Sequence, residues 1–263
     1  MLEKRDTLED LMGIIKRLRG EGGCPWDRVQ THESLREAML EEAYEAVDAI
    51  EQRDMENLKE ELGDVLLQVV FHAALAEEAG KFSMEDVIEG ICNKMVYRHP
   101  HVFSDTKADT AEEVLINWEQ LKKQEKQITT QSEAMKQIPM ALPALTRARK
   151  VQKKAASVGF DFYETSGAMA KVKEEVEELQ EAIEQGLGTE EEEYGDILFA
   201  MVNISRFLKI NPEFALTKAT KKFINRFEYV ENSAISGGKT LSEMTLEEMD
   251  LLWDEAKAKS LFD

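Results

Sequence analysis

Two stretches of this chain carry one acidic pattern at helical spacing, and that duplication constrains the fold more than any other feature. Leu40–Ile50 contains Glu41-Glu42-x-x-Glu45 and is followed by Glu60-Glu61-Leu62-Gly63-Asp64. Lys173–Ile183 contains Glu174-Glu175-x-x-Glu178 and is followed by Glu192-Glu193-Tyr194-Gly195-Asp196. Glu45 and Glu61 are separated by nearly the same length of chain as Glu178 and Glu193. On a helix, positions three and four apart share a face. Glu41, Glu42 and Glu45 therefore point one way, as do Glu61 and Asp64. Two neighbouring helices thus bring four carboxylates together, twice over. A repeat of this kind reads as one helical module duplicated.

The rest of the chain supports an all-α fold. Glu, Leu, Ala and Lys are abundant, Pro is rare at 5, and aromatic residues make up 7%, a balance that favours helix over sheet. Helices are predicted at Thr7–Arg19, His32–Arg53, Asp54 to Gly80, from Ser83 to a break at His99-Pro100-His101, and Ala111–Lys126. The loop Gly20–Gln30, with Gly22-Gly23-Cys24-Pro25-Trp26-Asp27, separates the first two. The polar stretch 128–140 reads as a linker between domains at 1–127 and 141–263. Helices then recur near Pro143–Ser157, Thr165–Gln185, Thr189–Lys209, Pro212–Ser233 and Thr245–Lys259. Leu8, Leu11, Ile15 and Leu18 form the first apolar stripe, Leu35, Met39, Glu42, Ala46 and Ala49 the second, and Leu58, Leu62, Val65, Val69 and His72 the third. Antiparallel helices with short loops form a four-helix-bundle-type domain in each half.

Glu42 falls inside an apolar stripe, and Glu175 sits beside Val172 and Val176 in the same way. A carboxylate at a bundle interior is costly unless it is paired or bound to metal. Carboxylates facing one another raise their own pKa values until a cation neutralises them. Oxygen-only ligation suits magnesium, with manganese as the alternative. Such an ion holds phosphate oxygens and acidifies water. Gly63 and Gly195 each cost a helix interior about 1 kcal/mol relative to Ala, which points to close approach of a helix or a ligand. The formal charge of −20 repels a nucleic-acid backbone. No apolar run approaches the roughly 20 residues of a membrane span, the start Met1–Asp6 is charged, and Cys24 and Cys92 are too few for a disulfide framework. A cytoplasmic protein without nucleic-acid or membrane partners is expected.

Basic groups are sparse, so their clusters stand out. Lys171 lies one turn before Glu174 and Glu175. Lys218, Lys221, Lys222 and Arg226 share a later helix, with Lys222 and Arg226 on one face. These can pair with phosphates or with the many glutamates. Trp253 can stack on a base or fill a core. Arg98 to Phe103 and Trp118 offer similar groups in the first half. His99-Pro100-His101 lacks partners for a zinc site, and His72 reads as a hydrogen-bonded core residue. No G-x-x-x-x-G-K-[ST] phosphate loop is present. Two other classes fit the acids less well. A di-iron bundle needs Glu-x-x-His ligands, and a cation-binding scaffold would perform no chemistry.

Gly23-Cys24-Pro25-Trp26-Asp27, the paired E-E-x-x-E and E-x-x-D motifs, Arg98-His-Pro-His-Val-Phe103, Leu142-Pro-Ala-Leu145 and Val158-Gly-Phe-Asp161 together resemble the MazG family of nucleoside triphosphate pyrophosphohydrolases, in its long two-domain form. The acidic motif alone also fits related all-α dUTPases and dCTP pyrophosphatases. The resemblance implies a dimerising all-α fold, here a homodimer, and Mg²⁺-dependent hydrolysis of nucleoside triphosphates between the α and β phosphates. It implies broad base specificity and a role in clearing or adjusting nucleotide pools. Carried over by position, Glu42, Glu45, Glu61 and Asp64 are the first half's metal ligands, and Glu175, Glu178, Glu193 and Asp196 the second half's. Glu41 and Glu174 orient or deprotonate the attacking water. Lys171, Lys222 and Arg226 correspond to phosphate contacts and Trp253 to a base contact. Some relatives carry a lysine shortly before the second acidic pair, where this chain has Thr189-Glu190-Glu191. The phosphate and base contacts map more completely onto the second half, which is the expected active one.

Overall fold

Capping residues fix where the helices of this chain begin. The computed structural model describes residues 6–104 and 106–259; the charged start Met1–Arg5 lies outside them. Every regular element among the described residues is helical, and no helix among them is long and apolar enough to cross a membrane. The contacts divide the chain into two units between Lys122 and Lys123.

The first unit comprises α1 (Leu8–Arg19), α2 (Pro25–Arg28), α3 (Arg36–Gln52), α4 (Met55–Glu78), α5 (Met84–Arg98), α6 (Pro100–Phe103) and most of α7 (Ala111–Glu125). Thr7 and Ser83 cap α1 and α5 with reciprocal Asp partners, and Asp54 accepts from the amides of Glu56 and Asn57 to start α4. Each cap satisfies donors that the first turn leaves unpaired. Arg53 turns the chain between α3 and α4 in the left-handed region, at φ 59°, so the two acid-bearing helices form a tight hairpin. Helix α4 packs on α1, α3 and α5. Its core with α1 is Ile15, Leu35, Val70, Phe71, Ala73 and Met84.

Three local readings change. The loop Gly20–Gln30 contains α2, started by Pro25 at the first helical position, where its missing N–H is not needed. Gly23 is obligatory in it, because a Cβ there would lie 2.2 Å from the Leu18 carbonyl oxygen. The second helix starts at Arg36 and not at His32, because Thr31 and Ser34 cap each other in a preceding turn: the Thr31 amide donates to Ser34 Oγ at 2.9 Å and the Ser34 amide to Thr31 Oγ1 at 3.2 Å. The stripe on α4 is rotated from the expected one. Gln68, Val70, Phe71, Ala73 and Ala76 are buried, while Leu62 is 55% exposed. The second half of α4 is apolar almost all round, so its period leaves the buried side ambiguous.

The second unit comprises α8 (Gln131–Lys136), α9 (Ala144–Ala156), α10 (Thr165–Gln185), α11 (Glu190–Phe207), α12 (Pro212–Ser236), a 3₁₀ turn at Leu241–Glu243 and α13 (Leu246–Ala258). The stretch expected as linker carries α8, capped by Thr130 and Glu133. It packs on α9 with Ala134 and Ile138 buried, and Gln131 Nε2 donates to Ser157 Oγ at 2.9 Å. Helices α10 and α11 pair as α3 and α4 do; α11 rests on α9, and α12 on α9 and α13. The loop before α10 is tied down by the Asp161–Arg206 ion pair.

Ile15→Ala removes a residue 2% exposed at the centre of the first core. It is expected to destabilise that unit by about 2–5 kcal/mol, measured as the shift of its urea-unfolding midpoint multiplied by the m-value.

Candidate metal centres and the basic face

The paired helices place the predicted acids as their spacing requires. In the first unit, carboxylate oxygens of Glu42 and Glu45 on α3 and Glu61 on α4 all lie within 4.8 Å of one another. In the second, Glu175 on α10 and Glu193 and Asp196 on α11 converge within the same limit. The fourth member of each set stands beside the trio. Asp64 acts through its charge on both Glu42 and Glu61, and Glu178 is hydrogen-bonded to Glu175. Glu175 is the buried member, 5% exposed. Of the two expected water-positioning residues, Glu41 is exposed on α3 beside Glu42, and Glu174 is exposed on α10 beside Glu175.

The electrostatics are those of crowded acids. Burial, then the charges of Asp64, Glu45 and Glu41, push the Glu42 carboxyl above the ordinary glutamate range, against a hydrogen bond from Gln68. Burial, then Glu45 and Asp64, do the same to Glu61. In the second unit a hydrogen bond with Glu175, then burial, raises Glu178. Lys171 Nζ donates to Glu174 Oε1 at 2.6 Å and to Glu175 Oε1 at 2.7 Å, and those bonds hold its ammonium above the ordinary lysine range. Mutually repelling oxygens at this separation fit a hard divalent ion, so the donor set present in each unit suits magnesium or manganese.

Gln68 is a member of the first centre that periodicity does not disclose. It is 7% exposed, and its Oε1 is buried without a hydrogen-bond partner. The available signal is one amide within the otherwise apolar run Val65–Val70, one turn after Asp64. Gly63 and Gly195 lie between the α4 and α11 acids, and a Cβ on either would meet nothing within 4 Å. Among the described residues nothing comes that close above either glycine, so the space there is open.

The basic and aromatic groups pair with one another in each unit. In the second, the Arg226 guanidinium lies 6.0 Å from the Trp253 ring centroid, and Trp253 packs on Phe223 at 5.0 Å. Lys222 is exposed one turn before Arg226 on α12. In the first, Arg98 lies 5.4 Å from the Trp118 ring, and His99 meets that ring edge-on at 4.9 Å. Each unit therefore pairs an arginine with a tryptophan as well as carrying an acidic trio. The expected hydrogen bond of His72 is made to His32, Nδ1 to Nδ1, at 2.8 Å. Burial and then His32 hold His72 below the ordinary histidine range.

The MazG nucleotide pyrophosphohydrolase domain matches residues 30–103 and 164–231, one copy on each acidic hairpin. The chain belongs to the MazG family. Two relatives match it almost end to end. The nucleoside triphosphate pyrophosphohydrolase/pyrophosphatase MazG of Thermotoga maritima is 45% identical over 98% of both chains. The nucleoside triphosphate pyrophosphohydrolase of Escherichia coli K12 is 42% identical over 97% of this chain and 99% of that one. The protein YabN of Bacillus subtilis is 50% identical over 93% of this chain, which spans 50% of its length. A two-copy MazG chain accounts for the repeated acids.

Glu42 binds its proton more tightly in the folded chain than in the unfolded one. The metal-free fold therefore loses stability as pH rises from about 4.3 through the raised value. Glu42→Gln is expected to flatten this profile, raising the melting temperature at pH 7 and leaving it nearly unchanged at pH 4. Thermal scans in chelator across that range check it.

Proposed function

We propose that this MazG-family chain is a magnesium-dependent nucleoside triphosphate pyrophosphohydrolase, cleaving ribo- or deoxyribonucleoside triphosphates between the α and β phosphates to a monophosphate and pyrophosphate. The observation that carries the reading is the convergence of three carboxylate oxygens from two helices within 4.8 Å in each unit. The names of the Thermotoga and Escherichia relatives support the same activity.

Glu175, Glu178, Glu193 and Asp196 would hold the ion in the second unit, and Glu42, Glu45, Glu61 and Asp64 would hold it in the first. When bound, the ion supplies neutralisation of the phosphate oxygens and a lowered pKa for water. Glu174, exposed beside Glu175, orients the attacking water and accepts its proton at the carboxylate; Glu41 has the matching place in the first unit. Lys171, Lys222 and Arg226 bind phosphate oxygens, which offsets the repulsion of a polyanion by a chain of net charge −20. Trp253 stacks on the base. Every base presents a π-face, so stacking without a hydrogen-bond code gives broad base specificity, suited to cytoplasmic housekeeping of nucleotide pools or their adjustment under stress.

A homodimer completes the reading. Leu62 and Leu66 on α4 are 55% and 41% exposed, and Tyr194 and Leu198 at the repeated places on α11 are 58% and 42% exposed. Ile50 and Ile183 are exposed in the same register on α3 and α10. These matching apolar rows beside both acidic centres are covered by a second copy of the chain. Leu66→Glu together with Leu198→Glu is expected to shift the sedimenting species from dimer to monomer.

ATP incubated with Mg²⁺ is expected to yield AMP and pyrophosphate; ADP and phosphate would overturn the reading. In a chain already carrying Glu42→Ala and Glu61→Ala, Glu175→Ala or Asp196→Ala is expected to lower pyrophosphate release by at least about a hundredfold. Even outer partners of a metal ligand are worth 10–100-fold. Unchanged turnover would remove the second unit's acids from the mechanism.

A further inference from the structure

The two acidic centres share a motif but not a counter-charge. In the second, Lys171 lies on the converging set itself, 2.7 Å from Oε1 of the buried Glu175 and 2.6 Å from Glu174. One turn before Glu41 and Glu42, the equivalent place in the first centre holds Ala38. Gln68 faces Glu42 from α4, and its equivalent on α11 is Ala200, 7% exposed. Gln68 is a neutral amide, more than nine-tenths buried, with Oε1 left without a partner. The groups acting most strongly on Glu42 and Glu61 are otherwise all carboxylates. One centre thus carries its own cation, and the other carries a spare buried acceptor.

This difference has a direct consequence for a divalent ion. Entering the first centre, it relieves repulsion and displaces no charge. Entering the second, it must break a charge-assisted hydrogen bond and drive an ammonium off the ligand oxygen it needs. A lysine is a point charge on a flexible stem, so Lys171 can leave once another anion receives it. A nucleotide phosphate is such an anion.

We infer that Lys171 is a resident counter-ion that holds a divalent cation off the second centre until a nucleotide phosphate draws it away, whereas the first centre, built with Ala38 and Gln68, takes its ion without nucleotide. The inference rests on the proposed reading of both acid sets as metal ligands. It makes ion and nucleotide binding mutually dependent in the second unit, since a coupling between two ligands is reciprocal.

The test is Mn²⁺ binding to the full chain without nucleotide, followed by the electron paramagnetic resonance signal of free Mn²⁺. The wild type is expected to bind one ion tightly, lost on Glu42→Gln with Glu61→Gln and kept on Glu175→Gln. Lys171→Met is expected to tighten binding at the second centre by at least about tenfold, within the usual span of such couplings. Lys171→Arg retains the charge and is expected to behave as wild type. Ala38→Lys is the reciprocal variant: it installs the missing ammonium and is expected to weaken binding at the first centre by a similar factor, which keeps the test decisive if Lys171→Met does not fold. Two equally tight ions in the wild type, with Lys171→Met and Ala38→Lys both silent, would overturn the role of Lys171 and leave the ligand reading intact. No Mn²⁺ uptake by any variant would overturn both.

Discussion

Repulsion between carboxylates on two adjacent helices governs the rest of this structure. Each unit brings oxygens of three acids within 4.8 Å, and nothing in that arrangement is favourable by itself. What holds it is packing elsewhere on the same helices. Helix α4 anchors Val70 and Phe71 in the core with α1, and α11 buries Val202 and Ile204. Ala49 and Ala182, both 0% exposed, let each hairpin close tightly around a residue whose side chain is a single methyl group. Apolar burial at one end of the pair offsets electrostatic repulsion at the other.

The duplicated module then diverges in how that strain is relieved. The second unit answers it with Lys171; the first leaves it standing, with the carboxyls of Glu42 and Glu61 both raised. The arginine–tryptophan pairs, Arg98 with Trp118 and Arg226 with Trp253, are more alike. Two copies of one fold therefore carry similar arginine–tryptophan pairs and acidic centres of different electrostatics.

Much of this is legible in the residues. Glu42 stands out because Leu35, Met39, Ala46 and Ala49 surround it at helical spacing; Leu35, Ala46 and Ala49 prove buried, while Met39 is 39% exposed. The convergence of Glu175 with Glu193 and Asp196 follows from the repeat. What escapes has physical reasons. Helix α8 is a short helix with one buried apolar residue, Ala134, and Ile138 buried just beyond its end, too short for a period to be read. Leu62 carries the apolar signal of a core residue, yet faces outward, because α4 is apolar almost all round in its second half and its period does not single out one buried side. The pairing of His32 with His72 spans 40 residues and has no local signature. Lys171 was expected as a phosphate contact; its two bonds to Glu174 and Glu175 depend on a choice between partners that spacing alone does not make.

Gly63 and Gly195 leave a bare patch of main chain between two acids on the outer side of each hairpin, with open space above. Any group that settles there comes nearer the helix axis by the length of a carbon–carbon bond than a side chain would allow. The floor of the resulting notch is backbone. A flat, negatively lined helix surface becomes a shallow recess, and its depth is set by the absence of one methyl group.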